Sequence, residues 1–400
     1  MKSGFAILLI LTGLVMSAIG QAPAKPKRGS PPGGGTYLIA NEDGPIPHDN
    51  AVVFFQASGT QLTLQSTVVT NGFGIGGGFF GTPRLVSPPD SNAQCVYASE
   101  AGSNDIAALS LPSMDVAGLF YGSDNDSGSS NGIGLAVNSN YLYAGYPDSS
   151  TIATFAVGTG CQLEFLSDVS VSGLNGGFLT GMALHGNLLV VTYGDGSIES
   201  FDISAGAPLS NSDLQNSTGY LNDENNMPAA ADITQDGHYA IFGDTAVATV
   251  VEVSDISSGK LKPTVPYTVG GGPVAFVTNV SSSTVRLSPD GSLLYIGNSQ
   301  GGTVSAAFFN KATGQIRTGC ISPTLRSYYN TWWFIGSLAT RDNTGTGGVI
   351  YAAEYPGSIA VLSVQSNGTT CTLTEAPGSP TQDPFSQGVL SLWVYPPRLF

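Results

Sequence analysis

Hydrophobic and polar positions alternate with period two along most of this chain, and the clearest unit lies around 285–298. Val285, Leu287 and Pro289 fall on one side and Arg286 and Ser288 on the other, the pattern of a strand. Asp290-Gly291 follows, a pair able to adopt the positive φ angles of a two-residue hairpin turn. Leu293-Leu-Tyr-Ile296 is then a short apolar run of strand length and strand-forming residue types. Asn298 opens a Gly-rich turn, and Val304–Phe308 reads as a third strand.

The same pattern recurs at intervals of roughly fifty residues, as expected of propeller blades. The equivalent apolar runs begin at Tyr37, Val96, Leu142, Leu189, Ala240, Leu294 and Ile350. Taking these as second (B) strands, first (A) strands precede six of them, at Arg84–Pro88, Ile133–Val137, Leu179–Leu184, Ala230–Thr234, Val285–Pro289 and Phe334–Leu338. The run at Tyr37 has no A strand before it, and Leu390–Tyr395 is an A strand with no B strand after it. Joined, these two orphans complete a blade. The expected fold is therefore all-β, a seven-bladed β-propeller of four-stranded antiparallel blades closed by the C-terminal strand joining the N-terminal blade, so that no sheet edge is left free.

Strand direction sorts the connections. Outer-to-inner (D-to-A) loops and B-to-C turns share one end of the propeller, and A-to-B turns lie at the other. The D-to-A connections are long, at 71–83, 121–132, 211–228, 268–284 and 322–333, whereas the A-to-B turns are short Asp-Gly or Asn-Ser hairpins. Long loops on a rigid scaffold are where function usually sits, so the long-loop end is the expected functional face. His185 and His238 fall in the short hairpins and read as turn or surface residues.

Residues 1–20 carry Lys2, an apolar stretch from Phe5 to Val15 and the small residues Ala18-Ile19-Gly20, the composition of a secretory signal peptide. Residues 21–35, Pro-rich and then Gly-rich, read as a flexible linker, leaving 36–400 for the propeller. A secreted or periplasmic location follows, with no membrane contact after cleavage.

Four cysteines, Cys95, Cys161, Cys320 and Cys371, fit two disulfides in an exported chain, and their wide spacing argues against a zinc site. Three pairings are open; the nearest-in-sequence one, Cys95–Cys161 with Cys320–Cys371, would tie neighbouring repeats. With a formal net charge of −15 and eight Lys or Arg between Ser30 and Pro397, the chain lacks the clustered cations that nucleic acid requires. No motif calls for a metal or cofactor, and the oligomeric state is open. Asn125, Asn216, Asn279 and Asn367 begin glycosylation sequons.

The segment Leu287-Ser-Pro-Asp-Gly-Ser-Leu-Leu-Tyr-Ile-Gly-Asn298, the weaker copy Ile233–Phe242 and the strand-and-turn Val304–Gln315 resemble the seven-bladed lactonase family, which includes 6-phosphogluconolactonase and carboxymuconate cyclase. The likeness spans Thr36 to Pro396 as a repeat pattern. It implies a lactone or sugar-acid substrate, with His and Arg at the channel mouth just before the A strands. Among the segments in that position, only Gly-Thr-Pro-Arg84 ends in a charge.

Lactone hydrolysis needs a base to activate water and cations to hold the developing oxyanion. The candidates on the long-loop face are Glu100 and Glu354 as base, Arg84 and Arg326 as anion holders, and His48 as a further base. Glu100 and Glu354 stand at B-strand ends, where Asn41, Asp244 and Asn298 read as caps of the following turns. The alternative function is a non-catalytic propeller binding a glycan, peptide or protein. Its candidate contacts are Tyr328, Tyr329, Trp332 and Trp333 of one loop, with Phe79, Phe80 and Phe385 from others. A local plug of the channel mouth would use the same aromatics.

The two uses of this loop predict different outcomes. If Trp332 and Trp333 form a stacking platform, replacing both with Ala weakens ligand binding by ~1–3 kcal/mol and leaves the melting temperature near wild type. A large drop in melting temperature would instead show that the rings are core.

Overall fold

Each apolar run of the repeat becomes the B strand of a sheet in a computed structural model that describes residues 35–44, 49–75, 83–89, 94–111, 113–123, 126, 132–207, 209–216, 228–244, 251–258, 260–263, 282–298, 301–326, 335–344, 347–354, 357–382 and 389–395. Seven antiparallel sheets form. The first blade has the strand order Val389–Tyr395, Thr36–Glu42, Ala51–Ser58, Gln61–Val69, so the last strand of the chain is its innermost member. Tyr37 pairs with Tyr395, Ile39 with Trp393 and Asn41 with Ser391. This is the closure expected from the orphan strands.

The innermost strands of the second to seventh blades are Leu85–Val86, Gly134–Val137, Leu179–His185, Pro228–Ile233, Ser282–Leu287 and Ile335–Thr344. Each packs against the next, and Val389–Tyr395 packs against both the second and the seventh, so the inner strands make a closed ring. Six sheets have four strands. The seventh blade departs from that expectation, because Thr381–Gln382 adds a fifth strand against the start of Ser358–Ser366. Thr159–Cys161 forms one 3₁₀ turn.

The core is divided into wedges rather than gathered in one centre. Leu38 and Ala40 pack with Tyr351 and Ala353 of the seventh blade, while Ile39 packs with Leu85, Val96 and Ala98 of the second. Leu294 and Ile296 face the fifth blade; Leu293 and Tyr295 face the seventh. Successive side chains of one strand thus fill the two wedges on either side of the blade. Because both faces are buried, B strands read as unbroken apolar runs, as doubly covered strands do. A side chain of Leu or Tyr size placed this way contributes about 1.5–3 kcal/mol.

Both expected disulfides are present, with Cα–Cα distances of 5.4 Å for Cys95–Cys161 and 5.5 Å for Cys320–Cys371. The first ties the second blade to the 3₁₀ turn of the third, and the second ties the outer strands of the sixth and seventh blades. Each therefore staples one wedge from outside.

Removing residues 388–400 withdraws Leu392, Trp393, Val394 and Tyr395 from the two wedges beside the first blade. The expected cost, roughly 5 kcal/mol or more from four such side chains, far exceeds that of a loop deletion of equal length. A thermal melt of the truncated chain that overlays the full-length melt would refute strand-mediated closure.

Candidate functional site

At the long-loop end, a buried polar cluster joins the first and second blades. Arg84, just before the inner strand of the second blade, donates from Nη1 to Asp43 Oδ2 at 2.9 Å, and both side chains are almost fully buried. Asp43 Oδ1 also accepts from the Ile75 N–H at 3.2 Å, and the Arg84 N–H donates to Ser391 Oγ at 3.2 Å. Gly132, at φ +92°, lies against the guanidinium; a Cβ there would sit 2.5 Å from Nη2, so only glycine fits. Asn41 does not cap its own turn. Its Nδ2 donates to the Ser99 carbonyl of the next blade at 3.2 Å, and its Oδ1 accepts from Asn50 at 3.3 Å. Asn298 likewise reaches across to the following strand, donating to Thr303 and Ser305 hydroxyls at 3.1 and 2.8 Å.

Glu100 belongs to the same cluster and is fully buried. Burial holds its carboxyl well above the ordinary carboxylate range; the side chains of Asn50 and Thr70 oppose the shift, and the charges of Asp105 and Asp43 add to it. Asn50 and Thr70 face the carboxyl, yet neither completes a well-formed hydrogen bond to it. Gly72 closes the enclosure, since a Cβ there would lie 2.8 Å from Glu100 Oε2. Glu354 occupies the equivalent corner of the seventh blade, buried, with its Oε2 accepting from Ser358 Oγ at 2.9 Å.

The sequence-derived site residues therefore separate. Arg84 and Glu100 share one neighbourhood through Asp43, and Glu354 stands in another blade. Arg326 is fixed to the outer strand of the seventh blade, with Nε 3.1 Å from Glu375 Oε1 and its remaining N–H groups on the Pro377 and Ala376 carbonyls. His48, Tyr328, Tyr329, Trp332, Trp333, Phe79, Phe80 and Phe385 lie outside the described residues.

A cavity of about 660 Å³ runs along the axis, lined by inner-strand residues of all seven blades and by hairpin residues such as Asn138, Gly186, Gln235 and Gly291. It thus reaches the short-hairpin end, the end that the loop lengths set aside. Its wall is mostly apolar, with Asp232, Arg286, Arg341, Trp393, His185 and Ser87 supplying polar and aromatic groups. Asp232 is held by backbone: Oδ1 accepts from Ile233 N–H at 3.0 Å and Oδ2 from Leu287 N–H at 2.8 Å. Arg286 Nη1 lies 3.8 Å from Asp232 Oδ1, and its guanidinium stands 5.8 Å from the centre of the Trp393 ring, near the limit of a cation–π contact. Arg341 donates from Nη1 to the Ala57 carbonyl at 2.6 Å.

Of these residues, the hairpin pattern places His185 at this end as a turn or surface residue; Asp232, Arg286, Arg341 and Trp393 are not among the sequence-derived site residues. The signal was available. An innermost strand is bounded on both faces by neighbouring blades, so a charged side chain on it finds water only in the axial channel. Asp232, Arg286 and Trp393 all sit on strands that the repeat pattern assigns to the axis. Among the described residues no group of three or more His, Cys, Asp or Glu is arranged to hold a metal ion.

The enclosed Glu100 makes a pH-dependent prediction. Its folded-state pKa is raised above the ordinary value of 4.5, so the folded protein binds the proton more tightly than the unfolded chain does. Its contribution to stability is present at low pH and falls away as pH rises through the raised pKa. Glu100→Gln, which keeps the neutral shape, is expected to flatten the decline in melting temperature between pH 4.5 and 8. By contrast Asp43→Ala, which strands the Arg84 charge, is expected to cost about 3–5 kcal/mol. Parallel pH–melting curves for wild type and Glu100→Gln would show that Glu100 is ionised when folded.

No protein-family model and no curated protein sequence matches the chain. Solved structures do. The periplasmic gluconolactonase PpgL of Pseudomonas aeruginosa superposes with a TM-score of 0.66 at 13% identity, covering 90% of this chain and 99% of that one. A Bacteroides fragilis protein described as a candidate 6-phosphogluconolactonase gives 0.65 at 12% identity, over 90% and 98% of the two chains. A Lactobacillus plantarum protein also gives 0.65 at 12% identity, over 90% and 99%. At such identities the likeness establishes architecture: the chain has the fold of the lactonase-like β-propellers.

Proposed function

We propose that this chain is an exported lactonase-like propeller that takes a lactone or sugar-acid type of small molecule into its axial channel and hydrolyses the lactone. The observation that carries this reading is the composition of the channel. In a protein of net charge −15, two of the few cations line one cavity of about 660 Å³ together with Trp393 and His185. An apolar cavity with a few convergent polar groups is the usual form of a small-molecule site. The two disulfides support export.

Hydrolysis adds the oxygen of water to the ring carbonyl carbon and breaks the bond from that carbon to the ring oxygen, which leaves as a hydroxyl while the acid forms. A base takes the proton of water, and a cation holds the charge that gathers on the carbonyl oxygen. His185 suits the first role, because Asp232 is already occupied by two backbone N–H groups. Arg286 suits the second. The long-loop set, Glu100, Glu354, Arg84, Arg326 and His48, is the rival catalytic assignment. The enclosure of Arg84 and Glu100 and the tethering of Arg326 count against it. They favour, as a second reading, a non-catalytic propeller that binds its partner through the long-loop face.

A panel of aldonolactones, assayed with and without chelator, tests the reading. The expected outcome is turnover that chelator leaves unchanged and that falls at least tenfold in kcat/KM in Arg286→Gln and in His185→Ala. Loss of turnover in Glu100→Gln or Glu354→Gln, with the channel variants unaffected, would move the site to the long-loop face. Absence of turnover across the panel removes the hydrolase assignment.

A further inference from the structure

Residues 71–75 lie across the junction of the first and second blades and are fastened to both. On the first-blade side, the Asn50 N–H donates to the Gly72 carbonyl at 2.8 Å, the Gly74 N–H to the Gly44 carbonyl at 2.7 Å and the Ile75 N–H to Asp43 Oδ1 at 3.2 Å. On the second-blade side, the Gly102 N–H donates to the Phe73 carbonyl at 2.8 Å and the Phe73 N–H to Ser103 Oγ at 2.9 Å. Backbone meets backbone at these points. A Cβ on Gly74 would stand 2.3 Å from the Asp43 carbonyl carbon, and one on Gly102 2.3 Å from the Gly74 oxygen.

Glu100 lies beneath this segment. Gly72 runs along its whole side chain, since a Cβ on Gly72 would fall 2.8 Å from Oε2, 2.9 Å from Cγ and 3.0 Å from the Glu100 Cβ. The charged groups around Glu100 oppose its ionised form. Asp43 comes from the first blade, and Asp105 is the cross-strand partner of Glu100 in the second. Glu42, the residue before Asp43, is buried as well. Tyr121 bonds to Asp105, and Arg84, the cation of the cluster, is paired with Asp43. A buried charge in such company needs water. Lifting 71–75 would break the bonds above and leave every sheet intact, a local opening less costly than parting two blades.

We infer that residues 71–75 form a proton-controlled strap, closed over Glu100 while its carboxyl is neutral and released from the two blades when the carboxyl ionises. The sign follows from linkage. In the closed state burial holds the Glu100 pKa well above 4.5; in the open state the carboxyl is hydrated and ionises in the ordinary range. Opening therefore releases a proton at any pH between the two values, and the opening equilibrium grows there by up to about tenfold per pH unit. The long-loop end is thus shut in acid and opens toward neutrality at the junction of the first two blades.

Amide hydrogen exchange at pH 5, 6 and 7, expressed as protection after correction for the intrinsic rate, tests the strap. In wild-type protein the Gly74 and Gly102 amides are expected to lose protection by about tenfold or more between pH 5 and 7, while the Ile296 amide in the sixth blade keeps its own. Glu100→Gln, permanently neutral, is expected to hold both strap amides at one level across the range. Gly72→Ala, whose methyl group collides with Glu100, is expected to lower their protection about tenfold or more already at pH 5. Melting temperatures establish that each variant is folded. Strap protection that is independent of pH in wild type, or a pH dependence that survives in Glu100→Gln, overturns the inference. Parallel loss at Gly74 and Ile296 overturns it too, because the whole ring would then be opening. Wild-type protection in Gly72→Ala at pH 5 would show that the segment does not close on Glu100.

Discussion

Burial of alternate side chains in the wedges between blades is the interaction on which the rest of this structure depends. No blade has a hydrophobic face of its own to close upon. Tyr295 is buried because the seventh blade covers it, and Ile296 because the fifth does. Each sheet is stable only between two neighbours, so the ring must close for any blade to be fully covered. That requirement explains why the C-terminal strand enters the first blade. Polar bonds also tie the first blade to the second, at the Arg84–Asp43 pair, the Asn41–Ser99 bond and the Arg84–Ser391 bond.

The same constraint creates the channel. The inner strands turn side chains into the wedges and also line the open axis, whose wall is mostly apolar with a few charged residues set into it. Arg286 and Asp232 are such charged residues, while Trp393 lines the cavity and also packs into the wedge between the first and second blades. Arg84 and Glu100 show the other fate of charge on a propeller. They are absorbed into an interface between blades, where Gly132 and Gly72 close over them. An ion pair so confined holds two blades in register, and burial raises the pKa of a carboxyl so confined. Neither is positioned as an exposed catalytic group.

Much of the fold was legible from residues alone, because strand and turn signals are local. The apolar run Leu293–Ile296, the Asp290-Gly291 turn and the orphans at Tyr37 and Leu390 specify strand, hairpin and closure within a few residues of sequence. Of the three open cysteine pairings, the nearest-in-sequence one that would tie neighbouring repeats is the one the structure contains. Thr381–Gln382 escaped notice because a two-residue strand has no periodicity to detect.

What the sequence by itself determined, then, is the architecture: which runs are strands, which lie nearest the axis, and that the ends of the chain must meet. What only the tertiary structure decided is which charged residues face the lumen and which are sealed between blades. Arg84 stands just before the inner strand of the second blade and Arg286 near the end of the inner strand of the sixth; one is locked onto Asp43 and the other stands over Trp393. That difference is made by residues of other blades, far away in sequence. The end of the strand on which each arginine stands is legible in the sequence; the partner it meets is not, because that partner is brought into place only when the ring has closed.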